Sequence, residues 1–124
     1  MQESMSGVVA LISGGASGIG LETAKLLTQR GASVWIGDVQ DNLGKAVAAD
    51  IGATFLHLDV TKAEAWTAAI AAIESQDGKL TQLVNNAGIG AGASLDEETL
   101  EGFRNILDVN LTGVFLGCKY AAPL

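Results

Sequence analysis

Short apolar and β-branched runs alternate along the chain with longer stretches whose apolar positions recur every three or four residues, and each change of period predicts a change of element. Val8 to Ile12 is an unbroken apolar run and predicts a buried first strand. A glycine cluster follows, then a helix from about Ile19 to Arg30 that Gly31 closes. Ser33 to Gly37 predicts a second strand, Asp41 to about Ala49 a helix with Asp41 as N-cap and Gly52 beyond its end, and Thr54 to Leu58 a third strand. Thr61 and Glu64 have the spacing of a capping box, ahead of a helix that carries Trp66, Ile70 and Ile73 on one face to about Ser75. Leu80 to Asn85 predicts a fourth strand and Ala87 to Gly92 a glycine-rich loop. Ser94 with Glu97 predicts a second capping box, opening a last helical region with the apolar stripe Phe103, Leu107, Leu111, Val114 and Cys118. Strands that alternate with helices in this way predict the α/β class, a parallel sheet of about four βα units in one domain over residues 1–124.

Composition narrows the function classes. With 48% hydrophobic and 17% charged residues, the chain can bury a core and is neither disordered nor fibrous. Its net charge of −7 opposes a sequence-independent grip on nucleic acid or an anionic membrane, so no nucleic-acid or membrane partner is expected. Met1 to Ser6 contains no Lys or Arg and the run after it is too short for a membrane span, which predicts a cytoplasmic protein. Cys118 is the single cysteine and continues an apolar stripe, so it is expected as a core thiol. His57 has no Cys or acidic partner at ligand spacing, and no metal site is expected.

The chemistry concentrates in Ser13-Gly14-Gly15-Ala16-Ser17-Gly18-Ile19-Gly20, placed between a strand and a helix. Glycine there allows a tight turn, brings a pyrophosphate close to the backbone, and lets the helix pack on the sheet. The helix start adds unpaired N–H groups and partial positive charge for phosphates. Asp38 follows the second strand, where a carboxylate can accept hydrogen bonds from both ribose hydroxyls of an adenosine and would repel a 2′-phosphate. Ala16, Ser17, Val39 and Gln40 supply no cation to offset such a phosphate, which favours NAD over NADP. The fold class expected is therefore the Rossmann type, a doubly wound parallel sheet.

At these residues the sequence resembles the short-chain dehydrogenase/reductase family, from Gly7 to about Tyr120. Ser13 to Gly20 looks like the family's TGxxxGIG loop, with Gly14, Gly18 and Gly20 on its glycines and Ser13 replacing the usual Thr. The resemblance implies cofactor contacts at Ser13, Gly14, Ser17, Gly18, Ile19 and Gly20. Leu58-Asp59-Val60 is similar to the segment whose acid and following backbone hold the adenine. Asn85-Asn86-Ala87-Gly88 matches the NNAG segment after the fourth strand, which places Asn86, Ala87 and Gly88 against the adenine ribose. Asn110 falls on the asparagine that joins the family's catalytic tetrad by holding a water in the proton relay. On a helix it would sit beside Leu107, Leu111 and Val114, where an amide is costly unless hydrogen-bonded, whether by that water or by nearby backbone.

The family goes on to a catalytic Ser, then a Tyr and Lys four residues apart, none of which has a counterpart here. Tyr120 is the only tyrosine and has no Lys four positions later. The resemblance thus implies the cofactor-binding portion of an NAD-dependent oxidoreductase that moves a hydride between nicotinamide and a carbonyl or secondary alcohol carbon. A small alcohol or ketone would be its substrate, and a homo-oligomer its assembly. The 124 residues alone are expected to be a truncated fold, inactive by themselves, with the fourth strand as an open edge and the last helix uncovered on one side. Alone they are expected to be unstable, to aggregate or to pair with another chain. The alternative is a catalytically inactive half-domain serving as a nucleotide-binding or assembly module.

Overall fold

A computed structural model describes residues 3–124. The elements run β1 (Val9–Ser13), α1 (Gly18–Gln29), β2 (Ser33–Asp38), α2 (Asp41–Ile51), β3 (Thr54–His57), α3 (Ala63–Asp77), β4 (Gln82–Val84), α4 (Leu100–Leu107), a π-helical turn (Asp108–Thr112) and α5 (Gly113–Ala121). The four strands form one parallel sheet in the order β3-β2-β1-β4. This is the Rossmann-type arrangement that the alternation predicts, with the chain switching direction between β1 and β4.

Alternation along the central strands loads both faces of the sheet. Val9, Leu11 and Trp35 point to one face, where they meet Leu58, Val60, Trp66, Ala69 and Ile73. Ile12, Val34 and Ile36 point to the other, against Ala16, Ala24, Ala32 and Ala48 of α1, α2 and their turns. Burial on both faces explains why these strands read as continuous apolar runs. Burial of each large side chain contributes about 1.5–3 kcal/mol, so the two layers carry most of the fold's stability.

Five expectations from the sequence are corrected. Strand four is shorter than Leu80 to Asn85, because Thr81 replaces a rung with its side chain: its hydroxyl accepts from Val9 N–H at 2.9 Å and donates to Val9 O at 3.1 Å. Thr61 does not cap α3; its N–H and hydroxyl both turn back to Asp59, and the helix starts at Ala63 with Lys62 as an N-cap that makes no side-chain bond. Ser94 does not cap α4 either. Its hydroxyl donates to Asp96 and its carbonyl accepts from Glu97 and Glu98, while Thr99 caps the helix by accepting from Gly102 N–H at 3.0 Å. Asp41 is the first residue of α2 and not its cap; its carboxylate lies 2.6 Å from Nδ1 of His57, a partner distant in sequence.

The fifth correction concerns the last helical region. Its buried side is the small-residue row Gly113, Gly117 and Ala121, not the bulky stripe. A Cβ on Gly117 would stand 2.9 Å from the Trp66 ring, and one on Gly113 2.7 Å from Val60, so glycine lets α5 settle onto α3 and the strand-three turn. Phe103, Leu107, Leu111 and Phe115 therefore face outward, and Cys118 is an exposed thiol rather than a core one, 3.6 Å from Nδ2 of Asn85. Among the described residues, strand β4 pairs only with β1 and stands at the edge of the sheet, as expected.

Candidate functional site

A cleft of about 330 Å³ opens where the carboxyl ends of β1, β2 and β4 meet the turns that follow β3 and β4. That is the position at which open parallel sheets bind ligands, the point where strand order reverses. Gly14, Ser17, Asp38, Asp59, Val60, Asn86, Ala87 and Gly88 all line it, together with Val39, Gln40, Leu58, Ile89 and Val109. Among the described residues, no Lys or Arg does so.

The glycine loop is held by the turn after β4. Asn86 donates from Nδ2 to Gly14 O at 3.1 Å, and a Cβ on Gly20 would fall 2.5 Å from both of those atoms. Gly14 faces the same constraint, since its Cβ would stand 2.9 Å from Ala87 Cα. Gly18 shares a positive φ with Gly14, +58° against +67°, but differs in that nothing lies within 4 Å of where a side chain would begin. Two glycines thus serve packing, and the third leaves open space at the start of α1, whose first N–H groups have no partner within the helix. Ser17 stands at the N-cap with its hydroxyl uncommitted to the helix.

Ser13 is not brought to the cleft. It is 1% exposed, and its hydroxyl accepts from the N–H groups of Asn86 and Ala87 at 3.1 Å each. A hydroxyl does this work whether it comes from Ser or Thr, and it fixes the wall of the site without facing a ligand. Gly20 lies beneath Asn86, while Gly18 and Ile19 border a separate shallow hollow with Glu22, Thr23 and Leu26. Ile19 is 80% exposed.

Asp38 ends β2 and is only 6% exposed. Its Oδ2 accepts from Ala16 N–H at 3.1 Å, tying it to the glycine loop, and its Oδ1 accepts from Gln40 N–H at 3.1 Å and from Gln40 Nε2 at 3.3 Å. Asp59 follows β3 and is half-buried. Its Oδ1 accepts from Thr61 N–H at 3.0 Å and from the Thr61 hydroxyl at 2.7 Å. Chiefly that hydroxyl, aided by the backbone N–H and the charges of Lys62 and His57, holds the carboxyl below the usual aspartate value against the opposing effect of burial.

Asn110 occupies the π-helical turn, a feature that recurs at functional sites. Both of its amide atoms are committed: Nδ2 donates to Ile89 O and Oδ1 accepts from Ile89 N–H, each at 2.8 Å. The expected place beside Leu107, Leu111 and Val114 on an apolar face is therefore corrected, and the side chain takes the bond to nearby backbone. Asn110 is exposed and completes the backbone bonds of the loop after β4. The π turn lies outside the reach of an apolar-period reading, and Ile89 and Val109 were missed with it. Gln40 lies two residues after Asp38, yet only the fold shows its side chain turning back to that carboxylate. Among the described residues, no three His, Cys, Asp or Glu side chains gather as a metal site, and no helix is long and apolar enough to cross a membrane.

A parallel sheet with a glycine-rich first turn, a buried acid closing the second strand and a cleft at the switch point defines a Rossmann-type α/β domain. The chain belongs to the short chain dehydrogenase family, whose model matches residues 8–124. It is 44% identical over 128 residues to the 2,5-dichloro-2,5-cyclohexadiene-1,4-diol dehydrogenase LinX of Sphingobium indicum, a match covering 99% of this chain and 51% of that protein. It is 46% identical over 121 residues to the 3-alpha-(or 20-beta)-hydroxysteroid dehydrogenase of Mycobacterium tuberculosis, covering 96% of this chain and 46% of the relative. The crystal structure of gox2181 superposes with a TM-score of 0.92 at 27% identity, over 97% of this chain and 49% of that one. The chain spans about half the length of the curated relatives it matches.

Proposed function

We propose that these residues form the cofactor-binding portion of an NAD-dependent dehydrogenase that exchanges a hydride with a carbonyl or secondary alcohol carbon of a small molecule. The observation that carries the reading is Asp38, a buried acid tied to the glycine loop through Ala16 N–H at the rim of a cleft without cations. A carboxylate so placed accepts from a free 2′-hydroxyl and repels a 2′-phosphate. The open space at Gly18 and the uncommitted Ser17 hydroxyl support a pyrophosphate at the start of α1. When bound, the nicotinamide cofactor supplies the hydride chemistry.

In this reading Asp38 takes the ribose, Asp59 and Val60 take the base, and Asn86 to Gly88 form the wall between them. Asn110 acts as a positioning residue through Ile89 rather than as a proton carrier. The test is fluorescence titration of the protein with NADH and NADPH. NADH should bind at least about tenfold more tightly, and Asp38→Ala should weaken NADH while leaving NADPH nearly unchanged. Equal affinity for the two cofactors in the unaltered protein would overturn the assignment of Asp38.

A further inference from the structure

We propose that Thr61 is a positioning residue for base recognition: it locks one oxygen of the Asp59 carboxylate, leaving the other as a single acceptor that selects an amino-substituted purine over an oxo-substituted one. The inference deepens the cofactor reading above and rests on it.

The argument begins with a failed motif. Thr61 stands where a capping box would have it accept from the first turn of α3, yet α3 begins without a side-chain cap. Both of the donors on Thr61 are instead spent on one atom, Asp59 Oδ1, at 3.0 Å from the N–H and 2.7 Å from the hydroxyl. A carboxylate oxygen with two donors this close has little left to offer a ligand. Oδ2 takes no hydrogen bond among the described residues, and Asp59 lines the cleft between Leu58 and Val60. Thr61 therefore leaves one free acceptor on a side chain that cannot rotate without breaking two bonds.

The charge state follows the same geometry. The hydroxyl bond is the main cause that holds the Asp59 carboxyl below its ordinary value, so the group is ionised at neutral pH. An ionised carboxylate accepts and cannot donate. Facing a purine, it favours a 6-amino group and disfavours a 6-oxo group, whose oxygen would meet it acceptor to acceptor. Buried polar groups that lose a matching partner discriminate more strongly than apolar contacts do.

The experiment titrates the protein, Thr61→Val and Thr61→Ser with NADH and with its hypoxanthine counterpart, reading the ratio of the two dissociation constants. The unaltered protein should prefer the adenine form. Thr61→Val, which keeps the branched shape and removes the hydroxyl, should lower that preference about three- to tenfold, the scale of one hydrogen bond. Thr61→Ser should restore it. An unchanged ratio in Thr61→Val, or an equal weakening of both dinucleotides, would overturn the inference while leaving the cofactor reading intact. Failure of the unaltered protein to bind either dinucleotide would overturn both. Should Thr61→Val not fold, Asp59→Asn gives the second reading: with a donor replacing the acceptor, the ratio should shift toward the hypoxanthine form, and no shift would count against the inference.

Discussion

The two walls of the cleft are built on opposite principles. The glycine loop is a region of backbone against backbone: Gly14 and Gly20 lie so close to Asn86 and Ala87 that a single added Cβ has no room, and Ser13 is sealed beneath them. The opposing wall, from α4 through the π-helical turn to α5, reaches the cleft through Val109 and is fastened to the loop after β4 chiefly by Asn110, with a weaker contact between Cys118 and Asn85. Phe103, Leu107, Leu111 and Phe115 on it face away from the core, while Leu116 and Tyr120 pack against it. The first wall is specified by what is absent, the second by one amide and a row of small residues. Steric exclusion leaves a single geometry, whereas a side-chain fastening can be loosened by degrees.

The contrast predicts a descending series of effects. Gly20→Val is expected to be the most damaging, since its Cβ would fall 2.5 Å from Gly14 O and Asn86 Nδ2. A loss of about 3 kcal/mol in urea denaturation, with loss of nucleotide binding, follows from overpacking a rigid site. Asn110→Leu should cost about 1–2 kcal/mol and loosen the second wall while the first stays intact, because it strands both backbone groups of Ile89 near the surface. Hydrogen exchange at Ile89 should rise while exchange at Gly14 does not. An equal rise at both would show that the two walls are one unit.

Phe115→Ser, on the outward stripe, should change stability by less than about 0.5 kcal/mol at low protein concentration. A larger, concentration-dependent loss would show that a second copy covers this face. The smallest effect concerns acid stability at Asp59. Its carboxyl is held below the ordinary value in the folded chain, so it contributes stability above the unfolded aspartate pKa, and that contribution fades as pH falls through the folded value. The thermal midpoint should therefore lose the Asp59 contribution only below roughly pH 4, and in Thr61→Val, which removes the main cause of the shift, that acid-dependent loss should shrink.

The sheet and the order of its elements are readable from the chain alone, as are the glycine loop and Asp38 beside the cleft. These depend on local signals: the period of apolar positions, the glycines that close α1 and α2, and a glycine-rich segment between a strand and a helix. Asp38 is legible from its place closing the second strand, and Asp59 and Asn86 only through the family resemblance; all three meet because the turns after parallel strands converge. Tertiary structure alone decided how the hydroxyls and amides were spent. Thr61 and Ser94 have the spacing of caps, yet nearby carboxylates outcompete the helix ends for their hydroxyls. Ser13 reads as a ligand contact and serves the turn after β4, and Asn110 reads as buried and is exposed, bonded to Ile89. The outward stripe beside Gly113 and Gly117 is the same lesson in apolar form. Periodicity shows that a helix has two faces, but the face that packs is the one whose small residues let the backbone come close, here against Trp66 and Val60.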